Sequence, residues 1–200
     1  MSTGRFVSLL GGIIVVFAFY GPAAAGPLDV PGGFLSITCN ACHGFGGNSP
    51  GETVPNLAGM SPGYFRKAIQ DYASGRRVSP EMEPYAKAVL ELGVDQIAQF
   101  FAAQRKAPVP RSTDAGAVAR GRASSAQCAG CHGQSGKGDP AKLIPDLTGQ
   151  PAGYLVSQLL LFKQEQRSPG DEAVKAMKAP LKEIPEATMA DLAAYYSSLR

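Results

Sequence analysis

Two short stretches hold every cysteine and every histidine of the chain: CNACHG at 39–44 and CAGCHG at 128–133. Each is a Cys-x-x-Cys-His motif, pairing Cys39 with Cys42 before His43, and Cys128 with Cys131 before His132. Several chemistries use two cysteines at this spacing. A dithiol redox pair needs no following histidine and expects a strand–helix setting that is not readable here. A Cys₄ zinc site would join the pairs across 85 residues and leave both histidines without a role. A structural disulfide at this spacing closes a tiny, strained loop. Covalent haem attachment uses all three side chains. Each thiol adds across one porphyrin vinyl group, two intervening residues let the pair span neighbouring vinyls, and the next imidazole faces the iron. The four cysteines therefore read as anchors of two haem c groups, with His43 and His132 as proximal iron ligands.

The sixth ligand follows from scarcity. With both histidines used, methionine is the remaining common ligand in c-type carriers. Of the five methionines, Met1 belongs to the leader described below, so Met60, Met82, Met177 and Met189 are the candidates. Met82 and Met177 lie 95 residues apart, the same offset as the aromatic pairs Phe100–Phe101 and Tyr195–Tyr196. They are the equivalent pair and the expected axial ligands. Met60 falls opposite Gln150 and Met189 opposite Val94, so both read as core filler. Pro55 and Pro145 follow their histidines by 12 and 13 residues in a Pro-x-Leu-x-Gly context. A proline carbonyl there is placed to accept the imidazole Nδ1–H and set the ring's orientation. The paired Arg76–Arg77 and the single Arg167 could meet haem propionates, but arginines after a helix are more often solvated, and they are not counted among the site residues.

The elements that must position these groups are written twice. PNLAGMSPGYF at 55–65 recurs as PDLTGQPAGYL at 145–155, and IAQFFAAQ at 97–104 as LAAYYSSL at 192–199. Ser61 and Pro62 form an N-cap and first-turn pair, and Gly75 stands where a helix ends. Tyr64, Ala68, Ile69 and Tyr72 share one face of that helix; Leu155, Leu159 and Phe162 share one face of its counterpart. Closing helices are expected over about 94–104 and 188–199. No segment alternates like a strand, so the expected fold class is all-α, in two domains. The domains span 26–106 and 117–200, joined by a proline-bearing linker at 107–116. Each is small enough for its apolar core to be marginal alone.

Residues 1–25 read as a secretory signal peptide. Arg5 leads into a 15-residue apolar run, shorter than the roughly 20 residues of a spanning helix, and Ala23 and Ala25 stand in A-x-A register. The expected location is the periplasm, with no membrane span in the mature chain. The formal net charge of +3 falls to +2 without Arg5, and no basic stripe stands out, which argues against nucleic acid as a partner.

The duplicated pattern of Cys-x-x-Cys-His-Gly, Pro-x-Leu-x-Gly and a methionine near a third helix resembles two class I cytochrome c domains in tandem. Both the soluble dihaem cytochrome c-four group and the dihaem subunit of flavocytochrome c sulfide dehydrogenase are similar to it. PDLTGQPAGYLVSQLLLFKQEQRS resembles the first; PNLAGMSPGYF, with Met60 in place of Gln, and YAKAVLELG lean towards the second. The resemblance implies helical domains related by a pseudo-two-fold axis, with haem edges close enough to exchange electrons. An enzyme would need an open iron position and acid–base groups, whereas both irons are expected to be capped and no histidine is spare. The expected function is therefore electron transfer between a dehydrogenase and a respiratory acceptor. Donors would be a flavoprotein dehydrogenase or a quinol oxidase complex; acceptors, a terminal oxidase or a small cytochrome. The alternative is a bound subunit of a sulfide dehydrogenase.

Overall fold

A computed structural model describes residues 30–108, 111 and 114–200. The proposed leader, and four residues of the expected linker, lie outside the described residues. Among those described, the regular structure is helical, apart from two isolated antiparallel bridges.

The N-terminal half carries α1 (Ile37–His43), α2 (Pro62–Ala73), α3 (Met82–Leu92) and α4 (Val94–Ala103). The C-terminal half carries α5 (Ala115–Ser124), α6 (Ala126–His132), α7 (Ala152–Lys163), α8 (Lys175–Glu183) and α9 (Glu186–Ser198). Helix α5 starts inside the stretch expected to be linker, where the Asp114 carboxylate accepts from the amides of Gly116 and Ala117. Helix α2 starts as its sequence suggests, with Ser61 Oγ accepting from the Tyr64 amide and Pro62 in the first turn. Gly75, at φ +73°, ends it. The equivalent position after α7 is Glu165, which holds φ +56° without being glycine. Its carboxylate accepts from Lys178, an ion pair across the turn.

Each half has its own core. Phe65 and Ile69 of α2 meet Ile97, Phe100 and Phe101 of α4; Leu155 and Phe162 of α7 meet Met189, Leu192 and Tyr196 of α9. Ile69, Tyr72, Leu155 and Phe162 are among the residues the helical periodicity picks out, whereas Phe65 joins the core without being picked and Tyr64 lies outside it. Met189 is fully buried, as its reading as core filler requires.

The halves differ at their start. In the C-terminal half α5 crosses α9 at Gly121, where an added Cβ would stand 1.9 Å from the Asp191 carbonyl oxygen. Only glycine allows that approach. The N-terminal equivalent is Gly32, whose Cβ would stand 2.2 Å from the Gln96 carbonyl oxygen. There Pro31, Gly32 and Gly33 interrupt any helix, and residues 31–36 form turns instead. The same contact is thus made by a helix in one half and by a turn in the other. Gly121→Ala is expected to destabilise the C-terminal half by about 1–3 kcal/mol, because backbone rather than a flexible side chain must yield. Denaturant unfolding of the haem-loaded protein measures it, and an unchanged midpoint would show that the crossing is loose.

Candidate functional site: two haem-attachment helices and the interface between them

Each Cys-x-x-Cys-His motif is itself a helix, α1 or α6. Helical geometry puts residues i, i+3 and i+4 on one face, so both cysteines and the histidine of a motif share a side. Cys39 and Cys128 are half-buried while Cys42 and Cys131 are exposed, and none is in a disulfide. Burial pushes the Cys39 and Cys128 thiols above their ordinary range.

His43 and His132 are buried at the C-terminal ends of their helices. Their Nδ1 atoms lie 2.8 Å from the Pro55 carbonyl oxygen and 3.1 Å from that of Pro145. A carbonyl only accepts, so Nδ1 carries the proton and Nε2 presents its lone pair. Burial lowers both imidazole pKa values, although the proline carbonyls oppose it, and the Asp146 charge opposes it further at His132. The neutral, Nδ1-protonated form is the one that binds a metal.

Met82 opens α3 and Met177 lies in the first turn of α8. Each is partly buried against the core of its own half. Met177 lines a cleft of about 640 Å³ together with Cys128, Cys131, His132 and Pro145. Apolar side chains including Leu155, Leu159, Phe162 and Leu192 form its other walls. Met60, read as filler, packs against the N-terminal core and also reaches this cleft from the opposite half.

Sequence reasoning considered the arginines and set them aside as solvated. Arg77 and Arg167 are not solvated: they are 3% and 9% exposed, at the contact between the halves. Each guanidinium stacks on an aromatic ring of its own half, Arg77 on Tyr72 at 4.4 Å and Arg167 on Phe162 at 4.3 Å. Each then donates across the interface, Arg77 to the Tyr154 hydroxyl at 2.7 Å and Arg167 to the Tyr64 hydroxyl at 2.6 Å. The four residues are related by one register offset, so the contact is reciprocal. Arg76, next in the chain, keeps a half-exposed side chain. Backbone bonds from Val78 to Gln166 and from Ser168 to Arg76 bring the two arginine segments together. The signal in the sequence was the repeat itself, because both copies place an arginine at the same distance from the shared tyrosine.

The electrostatics of this cluster are unusual. Both guanidiniums also donate to the single amide oxygen of Gln158, and none of their hydrogen bonds among the described residues goes to a carboxylate. Burial opposes the Arg77 charge, yet the phenols of Tyr154, Tyr72 and Tyr64 outweigh it and raise the pKa. Burial pushes Tyr72 up to about 12. At Tyr64 burial acts in the same direction, but Arg167 and Arg77 win and the pKa falls below its usual value. Two buried cations without a carboxylate call for an anion. Both arginines line the cleft that holds His132 and Met177. A flat, largely apolar ligand with acidic substituents at one edge fits that donor set, and haem is such a ligand. Two thiols, an imidazole with a free Nε2, an apolar cleft and cations at its end define a class: c-type cytochrome domains, here in tandem.

Comparison with known proteins agrees. The cytochrome c family profile matches residues 118–200. Cytochrome c4 of Pseudomonas aeruginosa is 30% identical over 96% of this chain and 98% of its own. The crystal structure of reduced recombinant cytochrome c4 from Pseudomonas stutzeri superposes with a TM-score of 0.74 at 26% identity, covering 84% of this chain and 97% of that one. The cytochrome subunit of sulfide dehydrogenase from Chlorobaculum tepidum is 38% identical over 42% of this chain and 80% of its own. The chain belongs to the cytochrome c4 family. It is a dihaem c-type cytochrome and an electron carrier, with two covalently bound haem c groups.

Arg77→Met removes the donor shared by Tyr154 and Gln158. It should cost about 1–3 kcal/mol through the polar groups left unpaired. The readout is the denaturant midpoint of the haem-loaded protein, and a midpoint equal to wild type would assign the guanidinium no structural role.

Proposed function

We propose that this chain is a periplasmic electron carrier whose two irons are held by His43 with Met82 and by His132 with Met177. Cys39, Cys42, Cys128 and Cys131 anchor the porphyrins. The observation that carries this reading is the histidine geometry: in both halves Nδ1 is tied to a proline carbonyl, leaving Nε2 for the metal. Bound haem supplies one-electron exchange between ferric and ferrous iron. The protein's residues do the rest. Pro55 and Pro145 orient the imidazoles, and the apolar faces of α2, α4, α7 and α9 exclude water. Arg77 and Arg167 offer positive charge where acidic haem substituents would lie. Small redox proteins are the partners, meeting the carrier through brief contacts of limited area. Residues 1–25 act as the export signal, and among the described residues no helix is long and apolar enough to cross a membrane. The N-terminal domain runs over 26–106, and the C-terminal domain takes in the expected 117–200 together with the start of α5 at Ala115.

The axial assignment is tested by Met82→Ala and Met177→Ala. Each should open one iron of the two to carbon monoxide, giving half-stoichiometric binding that wild type lacks. A variant with an unchanged spectrum would refute its assignment.

A second reading has its own support in the relative whose name is the cytochrome subunit of sulfide dehydrogenase. In it, this chain takes electrons from a flavoprotein that oxidises sulfide. Gentle purification from the native host, followed by absorption spectra with and without sulfide, separates the two. A co-purifying flavoprotein with both haems reduced by sulfide establishes the subunit. A lone dihaem protein, inert to sulfide but reduced by a mild chemical donor, establishes the free carrier.

A further inference from the structure

The loops that orient the two histidines share a histidine-to-proline-carbonyl bond and differ in charge. In the N-terminal loop the residue after Pro55 is Asn56. Its amide N–H donates to Gln150 Oε1 at 2.9 Å, Gln150 Nε2 donates back to the Asn56 carbonyl at 3.0 Å, and Asn56 Nδ2 donates to the Gly149 carbonyl at 2.8 Å. Every group in that lock is neutral.

The register equivalents of this pair are Asp146, directly after Pro145, and Met60. A thioether cannot return the bonds of an amide, so the second side of the interface is built differently. One Asp146 oxygen accepts from the Thr148 amide at 2.8 Å and the Thr148 hydroxyl at 2.7 Å. The other lies 2.6 Å from Lys106 Nζ, which also reaches the Thr148 carbonyl at 3.3 Å. Lys106 closes the N-terminal domain, while Asp146 follows the carbonyl that holds His132. One domain therefore supplies the counter-ion for a carboxylate on the histidine-orienting loop of the other. Both side chains are about two-thirds buried, at 32% and 29% exposure, so solvent screens the pair only in part.

We propose that Lys106 and Asp146 are a positioning pair that sets the reduction potential of the C-terminal haem, the carboxylate holding it down and the ammonium from the neighbouring domain offsetting that effect. The proposal rests on His132 being the proximal ligand of that haem. Reduction adds one electron to the haem, so a fixed negative charge beside the proximal loop opposes it and a fixed positive charge favours it. The Asn56–Gln150 lock carries no charge, and the charges on the N-terminal loop lie elsewhere, where Arg111 donates to the Ser49 and Gly51 carbonyls and stands 3.6 Å from the Glu52 carboxylate. A duplicated protein thereby acquires two unequal redox centres from one repeated motif.

The test is a spectroelectrochemical titration of the purified haem-loaded protein, resolved into two one-electron steps. Met177→His, which replaces that haem's methionine band, identifies the C-terminal step. Lys106→Met should make the C-terminal haem harder to reduce, and Asp146→Asn easier, each by roughly three- to tenfold in the reduction equilibrium. A tenfold change is about 59 mV for one electron. The double variant should return close to wild type, and the N-terminal step should move by a smaller factor in all three. Asn56→Asp should make the N-terminal haem harder to reduce, which carries the test even where Asp146→Asn folds poorly. Unmoved C-terminal midpoints in both single variants, with haem content and methionine bands intact, would reduce the pair to a structural clasp and overturn the proposal while leaving the ligands as assigned. Retention of the C-terminal proximal-ligand spectrum in His132→Gly would instead remove the ligand assignment, and the proposal with it.

Discussion

Both halves of the molecule are organised around a hydrogen bond between a histidine Nδ1 and a proline carbonyl. The bond settles which ring nitrogen holds the proton, and so which one is available to a metal. It also ties a seven-residue helix, too short to be stable alone, to a loop twelve or thirteen residues away. Proline at the accepting position contributes a carbonyl alone, so no backbone N–H there is left needing a partner. The helix supplies the remaining geometry, since thiols at i and i+3 and an imidazole at i+4 share one side without further arrangement. The faces of α2, α4, α7 and α9 then close over that side.

The contact between halves follows a different logic. Two buried guanidiniums face each other across a pseudo-two-fold, sharing one glutamine oxygen and reaching tyrosines of opposite halves. Such an arrangement would be costly in a protein that had only its own side chains to answer the charge. It becomes reasonable where acidic groups of a bound cofactor lie beside it. Cofactor binding and domain docking would then be coupled, because the same cations serve both.

Duplication followed by divergence accounts for the departures from symmetry. The crossing at Gly121 needs a helix, whereas its twin at Gly32 is reached by a turn that Pro31 imposes. The positive φ that Gly75 adopts freely is held at Glu165, where an ion pair to Lys178 crosses the turn. The Asn56–Gln150 lock has become an Asp146–Lys106 pair. In each case a junction between elements was kept and the means of holding it changed. That is the pattern expected where shape is needed for packing while charge is free to serve another purpose.

What the sequence determined by itself was whatever depends on local spacing or on register between the copies. Cys-x-x-Cys-His, the proline that holds each histidine, the equivalence of Met82 and Met177, and the helical faces are all properties of short segments. Comparing the two copies cancels much of the ambiguity in reading either one. Only the tertiary structure decided the state of Arg77, Arg167 and Lys106. Each looks like an ordinary exposed cation in its own segment, and its burial arises when one surface meets another about 40 to 100 residues away. A repeat shows that two arginines are equivalent, but it cannot show that they face each other. Burial belongs to the pair of surfaces, not to either stretch of chain, and it converts these side chains from solvated charges into the groups that join the two halves.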